Sequence, residues 1–177
     1  YLYRGGSKTL SLIQLCNFIR TNLKAINCVG DIGCYAGEST MILHENMPTN
    51  AKIIAIDDYS INNFIETKRP NLEIELNNAE VNYNEVTRGI KRILKMKGNI
   101  ESQILLDKIP DRHFDFVFLD TSENPEIILY HLEKIRSKVK LTGYICGDNY
   151  SLFEKHFEEK NFIPENVFNN DCWAKKL

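Results

Sequence analysis

The segment Asp31-Ile32-Gly33-Cys34-Tyr35-Ala36-Gly37-Glu38-Ser39 places an acid and two glycines where an apolar run gives way to a helical pattern. Glycines at such a join permit a tight turn and let backbone N–H groups approach a ligand at a helix start. Twenty residues beyond Gly37 lies Asp57, at the end of a second apolar run. A carboxylate there can accept hydrogen bonds from ribose hydroxyls, as in dinucleotide sites. The spacing Gly33-xxx-Gly37, with Tyr35 between, departs from GxGxxG and disfavours a diphosphate cofactor. Asp31, two residues before Gly33, would also repel a pyrophosphate, whereas it suits a ligand carrying an ammonium and a sulfonium. S-adenosylmethionine is such a ligand.

A second constellation lies further along. Asp120 follows the apolar run Phe114 to Leu119, and Asp148-Asn149 follows Tyr144 to Cys146, so two carboxylates and an amide converge on one rim. Asp120, Asp148 and Asn149 offer three hard oxygen ligands that can hold Mg²⁺ with waters and a substrate oxygen. Such a metal would acidify a substrate hydroxyl and align it with a sulfonium methyl. Glu123, three residues after Asp120, is a candidate base or a fourth ligand. The four histidines, His44, His113, His131 and His156, share no ligand spacing; His44 and His131 sit in helical patterns, where surface or boundary roles are expected. Cys34 reads as a small loop residue and Trp173 as sheet packing. Lys134, Arg136, Lys138 and Lys140 read as a solvated face near a helix C-terminus.

These residues need a scaffold that presents strand ends on one edge. Leu12, Leu15, Cys16, Ile19 and Leu23 recur at helical spacing behind caps at Ser7, Thr9 or Ser11. Strands are predicted at Cys28 to Ile32, Lys52 to Asp57, Ser102 to Leu106, Phe114 to Leu119 and Tyr144 to Cys146. A helix is predicted over Ser39 to Glu45, and another through Val86, Ile90, Ile93 and Leu94, ending near Gly98. The clearest one starts at Asn124-Pro125 and carries Ile128, Leu132, Ile135 and Val139. Tyr59 to Asn82 shows no clear pattern. Helix Leu152 to Lys160 and an antiparallel pair, Ile163 to Phe168 with Cys172 to Lys175, close the chain.

The alternation implies a doubly wound α/β fold, a mostly parallel seven-stranded sheet with an antiparallel last strand. A single domain is expected over 1–177, with a helical segment 1–24 and an α/β core 25–177. Net charge is −2 with Lys and Arg spread along the chain, which argues against a nucleic-acid partner. Five cysteines without CxxC spacing suggest neither disulfides nor zinc, and a reducing cytoplasm fits. No run approaches a membrane span, and the start lacks a signal-peptide layout. A start at Tyr1 instead of Met fits a piece of a longer polypeptide and a trimmed form alike. An oligomer is compatible with all of this.

Gly-Cys-Tyr-Ala-Gly-Glu-Ser resembles the class I S-adenosylmethionine-dependent methyltransferases, and within them the catechol O-methyltransferase-like and macrocin-type sugar O-methyltransferase branches. The resemblance runs from about Leu10 to Tyr150. It implies a Rossmann-like methyltransferase fold and cofactor contacts at Asp31, Gly33, Tyr35, Gly37, Ser39, Asp57 and Asp120, with Asp107 near adenine. It implies methyl transfer to a hydroxyl of a small molecule, with Asp120, Glu123 and Asp148 as catalytic candidates. The spacing Asp120…Asp148-Asn149 resembles the magnesium site of the catechol branch, and Gly147-Asp148-Asn149-Tyr150 the Gly-Asp-Asp-Tyr of sugar-directed relatives. One departure stands out: relatives carry Lys or His where this chain has Glu123. Glu123 either replaces the usual base or marks a decayed methyltransferase fold kept as a binding or assembly module. A nucleotide-dependent oxidoreductase is a third reading, weakened by the missing middle glycine.

Overall fold

The computed structural model describes residues 6–60 and 71–177. Seven strands form one sheet: β1 Cys28–Ile32, β2 Lys52–Asp57, β3 Ile93–Lys97, β4 Phe114–Leu119, β5 Val139–Gly147, β6 Asn166–Phe168 and β7 Cys172–Lys176. Their order is β3-β2-β1-β4-β5-β7-β6; β7 runs antiparallel to both its neighbours, and the other pairings are parallel. The doubly wound fold expected from the sequence is therefore present. The order reverses between β1 and β4, the switch point at which such sheets open a crevice for ligands.

Alternation along each strand divides the core into two layers. Phe116 and Phe118 of β4 face one side with Val29 and Ile53, against helices α1 Gly6–Asn22 and α2 Glu38–Asn46. Val117 and Leu119 face the other side with Ile32, Ile54 and Ile145, against α4 Gln103–Leu106, α5 Pro125–Ile135 and α6 Tyr150–Glu159. Each such side chain taken fully out of water contributes ~1.5–3 kcal/mol. Leu12, Leu15, Cys16 and Ile19 of α1 are fully buried, so this helix belongs to the core and is no appendage to it. Its proposed caps lie inside the helix, where Ser11 Oγ donates back to Ser7 O at 2.9 Å.

Three expected elements are corrected. Ile93 and Leu94 lie in strand β3, and the helix that precedes it is α3, Leu72–Val86, within the segment whose pattern was unreadable. The remainder of that segment, 61–70, lies outside the described residues. Ser102 to Leu106 is no strand; Gln103–Leu106 forms a single helical turn. Both errors share a cause: short apolar runs suit a strand or a helix equally, and only the sheet decides between them. Val139 likewise opens β5 instead of closing α5, whose Asn124 cap accepts from Glu126 N at 3.0 Å as expected.

Lys138 and Lys140 are not simply solvated. Lys138 pairs with Asp111 at 2.7 Å, and Lys140 with buried Asp115 at 2.5 Å. Asp115 also accepts from the backbone N–H groups of Asn27 and Cys28, tying the entry of β1 to β4. All five cysteines are free and buried. No helix among the described residues is long and apolar enough to cross a membrane.

Candidate functional site

The carboxyl ends of β1, β2 and β4 are laced together by backbone bonds. Gly33 N–H donates to Ile56 O and Asp120 N–H to Ile32 O, each at 2.8 Å. Gly33 has φ +88°, and a Cβ there would lie 2.1 Å from the Asp120 carbonyl oxygen. Only glycine lets the loop after β1 come so close to the loop after β4. Gly37, at φ +92°, starts α2, and a Cβ there would press on Val86 and Tyr83 of α3.

Asp57 organises this loop. Its carboxylate accepts from Tyr35 N–H at 2.8 Å and from Tyr59 N–H at 2.7 Å, one on each oxygen. The first bond crosses from the β2 end to the glycine loop, where Tyr35 stands at φ +43°. Burial pushes the Asp57 carboxyl above its ordinary value; the two N–H donors pull it down, and the charges of Asp58 and Asp120 push it up again. Asp31 and Ser39 serve behind the loop: Asp31 is fully buried and accepts from Ser39 Oγ at 2.9 Å and Thr40 Oγ1 at 2.5 Å, fastening α2 to β1. Cys34 is buried as well, and burial pushes its thiol well up, the opposite of an activated thiolate.

A cleft opens beside Asp57, lined by Ile32, Ile56 and Ile100 and by the polar residues Asp58, Asn99, Thr121 and His131. Apolar walls with a few convergent polar groups are the usual composition of a small-molecule site. Asp107 is not in this wall. It caps the turn α4, is exposed, and accepts from Gln103 Nε2 at 2.7 Å; Gly98 and Asn99 occupy the place after the third strand. His131, expected at a surface or boundary, is 3% exposed and faces the cleft from α5. Helical spacing hid it, because one face of α5 turns toward the loops above the sheet while its neighbours Ile128 and Leu132 enter the core.

The ends of β4 and β5 form the second half of the rim. Asp148 is 3% exposed, and Asn149 Nδ2 donates to its Oδ1 at 2.9 Å. The ammonium of Lys8, from α1, donates to Asn149 Oδ1 at 2.7 Å and stands 3.6 Å from Asp148 Oδ2. The sheet fixes the pair from below: Gly147 leaves room for the indole of Trp173, whose Nε1–H donates to Asp148 O at 3.1 Å. Trp173 is thus more than packing. Glu123 is exposed in the loop between β4 and α5.

This arrangement lends no support to the expected magnesium set of Asp120, Asp148 and Asn149. The Lys8 ammonium lies against both Asn149 and Asp148, and a divalent ion brought to those oxygens would be repelled by it. Among the described residues no group of three or more His, Cys, Asp or Glu side chains could hold a metal. Lys8 carried no sequence signal, since the contact spans 141 positions.

No protein-family model matches the sequence, and no curated protein does. Solved structures do. A candidate rRNA methylase from Clostridium thermocellum superposes with a TM-score of 0.59 at 17% identity, over 93% of this chain and 93% of that one. An S-adenosylmethionine-dependent methyltransferase from Aquifex aeolicus gives 0.59 at 17% identity, over 96% and 90%. A candidate O-methyltransferase from Klebsiella pneumoniae gives 0.55 at 14% identity over 96% of this chain, which spans 64% of that protein's length. Strand order, the antiparallel β7 and these superpositions together give the chain the Rossmann-like fold of the S-adenosylmethionine-dependent methyltransferases.

Proposed function

We propose that the protein is an S-adenosylmethionine-dependent methyltransferase acting on a hydroxyl of a small molecule, a sugar being the favoured acceptor. The observation that carries the reading is the bond from Tyr35 N–H to Asp57, which clamps the glycine loop after β1 to the acid after β2 beside a small cleft walled by Ile32, Ile56 and Ile100. In that reading the loop from Gly33 to Gly37 holds the methionine part, Asp57 accepts from ribose hydroxyls, and the cleft takes adenine.

When bound, the cofactor supplies an electrophilic methyl on a sulfonium. The chain's own groups bind and orient. Asp120, at the β4 end between the two halves, is the proposed acceptor of the substrate hydroxyl's proton. Lys8, Asp148 and Asn149 present one donor-rich and one acceptor-rich edge to polar groups of the substrate, and no step passes through a metal. The sugar preference comes from the likeness of Gly147-Asp148-Asn149-Tyr150 to sugar-directed relatives. The likeness to a candidate rRNA methylase is one of fold, and net charge −2 favours a small acceptor over RNA.

Calorimetry with S-adenosylhomocysteine and NAD tests the cofactor assignment. Saturable binding of the first and none of the second is expected, and tighter NAD binding would overturn the reading. Mass spectrometry of hydroxylated acceptors then tests transfer: a gain of one methyl is expected, lost in Asp120→Asn. A protein that binds the cofactor yet methylates no acceptor would favour the decayed module.

A further inference from the structure

Arg92 stands at the entry of β3, and its guanidinium collects carbonyls at the end of α2 and in the turn that follows. It donates to His44 O, to Pro48 O and, at 3.2 Å, to Ala51 O. The last carbonyls of a helix lack partners within it and carry the negative end of its dipole, so a fixed cation is favoured there. A further contact is of another kind: Arg92 Nε–H donates to Nδ1 of the His44 ring at 2.8 Å. An arginine only donates, so Nδ1 must be a bare lone pair, which requires the neutral ring with its proton on Nε2. A protonated ring would set two N–H groups and two positive charges face to face.

We propose that His44 and Arg92 form an acid-released latch, in which the neutral imidazole holds the start of β3 to the end of α2 and protonation of the ring lets the strand go. The place in the fold makes such a latch matter. Among the described residues β3 is an edge strand with β2 as its one partner in the sheet, and Ile53 N–H donates to the carbonyl of Arg92 itself at 2.9 Å. From there the strand leads into Gly98 and Asn99 beside the cleft, and its Lys95 ammonium lies 4.9 Å from the centre of the Tyr59 ring. A titratable group at one end of β3 therefore governs how firmly the wall of the cleft is held at the other.

A histidine in the last turn of a helix is ordinarily favoured as the cation by the dipole. Arg92 takes that place and reverses the preference. Burial pushes the His44 pKa below its ordinary 6.5, the Arg92 charge pushes it further down, and Glu45, its neighbour on α2, pulls it back. The turn from Pro48 to Ala51 packs there too, and it brings carbonyls but no titratable side chain. With the folded value below the unfolded one, the latch is fully closed above pH 6.5 and is lost as pH falls through the lowered value.

Hydrogen exchange of the Ile53 amide, followed from about pH 8 to about pH 5 and corrected for the intrinsic rate, reads the latch where histidine titrates. Protection should fall ~10-fold across that range, the worth of one hydrogen bond to a charged group, while the Asp120 amide, bonded to Ile32 O, keeps its own. His44→Asn sets an amide oxygen near the place of Nδ1 with no proton to gain, and its Ile53 protection should stay high throughout. His44→Lys is cationic over the whole range and should show low protection at every pH. Nuclear magnetic resonance of the parent should give the His44 ring a midpoint below 6.5. Protection independent of pH in the parent, a parental fall in His44→Asn, parental protection in His44→Lys or a ring midpoint at or above 6.5 would overturn the latch. An equal fall at the Asp120 amide would assign the loss to the whole fold and overturn it as well. No ligand takes part, so the result stands apart from the cofactor assignment.

Discussion

The two halves of the rim are built by different means. At the ends of β1 and β2 the geometry comes from backbone: a glycine loop, a strand-end carboxylate and N–H groups, all between Gly33 and Tyr59. At the end of β5 it comes from side chains brought from afar, with Lys8 of α1 reaching Asp148 and Asn149. A site of the first kind tolerates little change, since each group supports the loop as well as the ligand. A site of the second kind can be retuned by a single surface residue without disturbing the sheet.

The largest break is expected at Gly33→Val. Its Cβ would run into the Asp120 carbonyl oxygen at 2.1 Å, so the loss is one of fold, about 4 kcal/mol or more, read by urea denaturation. Loss of cofactor binding in that variant would therefore say nothing about where the methionine part lies. A soluble variant with parental stability would show that the β1 and β4 loops do not meet.

Asp57→Ala comes next and should move two readings together. S-adenosylhomocysteine affinity should drop by roughly 1–3 kcal/mol, and stability should fall too, because Tyr35 and Tyr59 lose the acceptor of their N–H groups. An affinity loss with parental stability would reduce Asp57 to a ligand contact alone.

Acidity separates those two roles. Burial raises the Asp57 pKa in the folded protein above the ordinary 3.8, so its contribution to stability is present below that value and is lost as pH rises through the raised one. Ribose hydroxyls donate to the ionised form, so affinity should run the other way, weakening as pH falls through the raised pKa. Calorimetry from pH 7 down to the acid limit of the fold checks the trend; affinity flat with pH would detach Asp57 from the ribose.

In the other half the effects should be small on the fold and selective for function. Lys8→Met should cost no more than ~1 kcal/mol, since the lysine is 41% exposed and screened by water, and S-adenosylhomocysteine affinity should stay unchanged. Acceptor KM should rise, because Lys8 is proposed to face the substrate, and an unchanged KM would remove it from the site. Smallest of all is the expected effect of a chelator, which should leave turnover as it was; abolition by chelator and recovery with Mg²⁺ would restore the metal reading for Asp120, Asp148 and Asn149.

The sequence by itself determined most of the scaffold and half of the rim. β1, β2 and β4 are apolar runs long enough to be buried on both faces, and the cap Asn124-Pro125 announces α5, because these signals are local and uncontested. The glycine loop and Asp57 were legible for the same reason: a positive φ and a strand-end acid leave marks at fixed spacing. Tertiary structure decided the rest. It made a strand of Ile93 to Lys97, because the β2 edge offered that run a partner, and it left Gln103 to Leu106 as a helical turn under the sheet. The same packing moved the place beside the cleft from Asp107 to Asn99, rolled His131 inward between Glu101 and Thr121, and set the Lys8 ammonium against Asp148 and Asn149. Such contacts join residues 10 to 141 positions apart through the shape of the whole chain, and no local pattern encodes which distant side chain will satisfy a buried polar group.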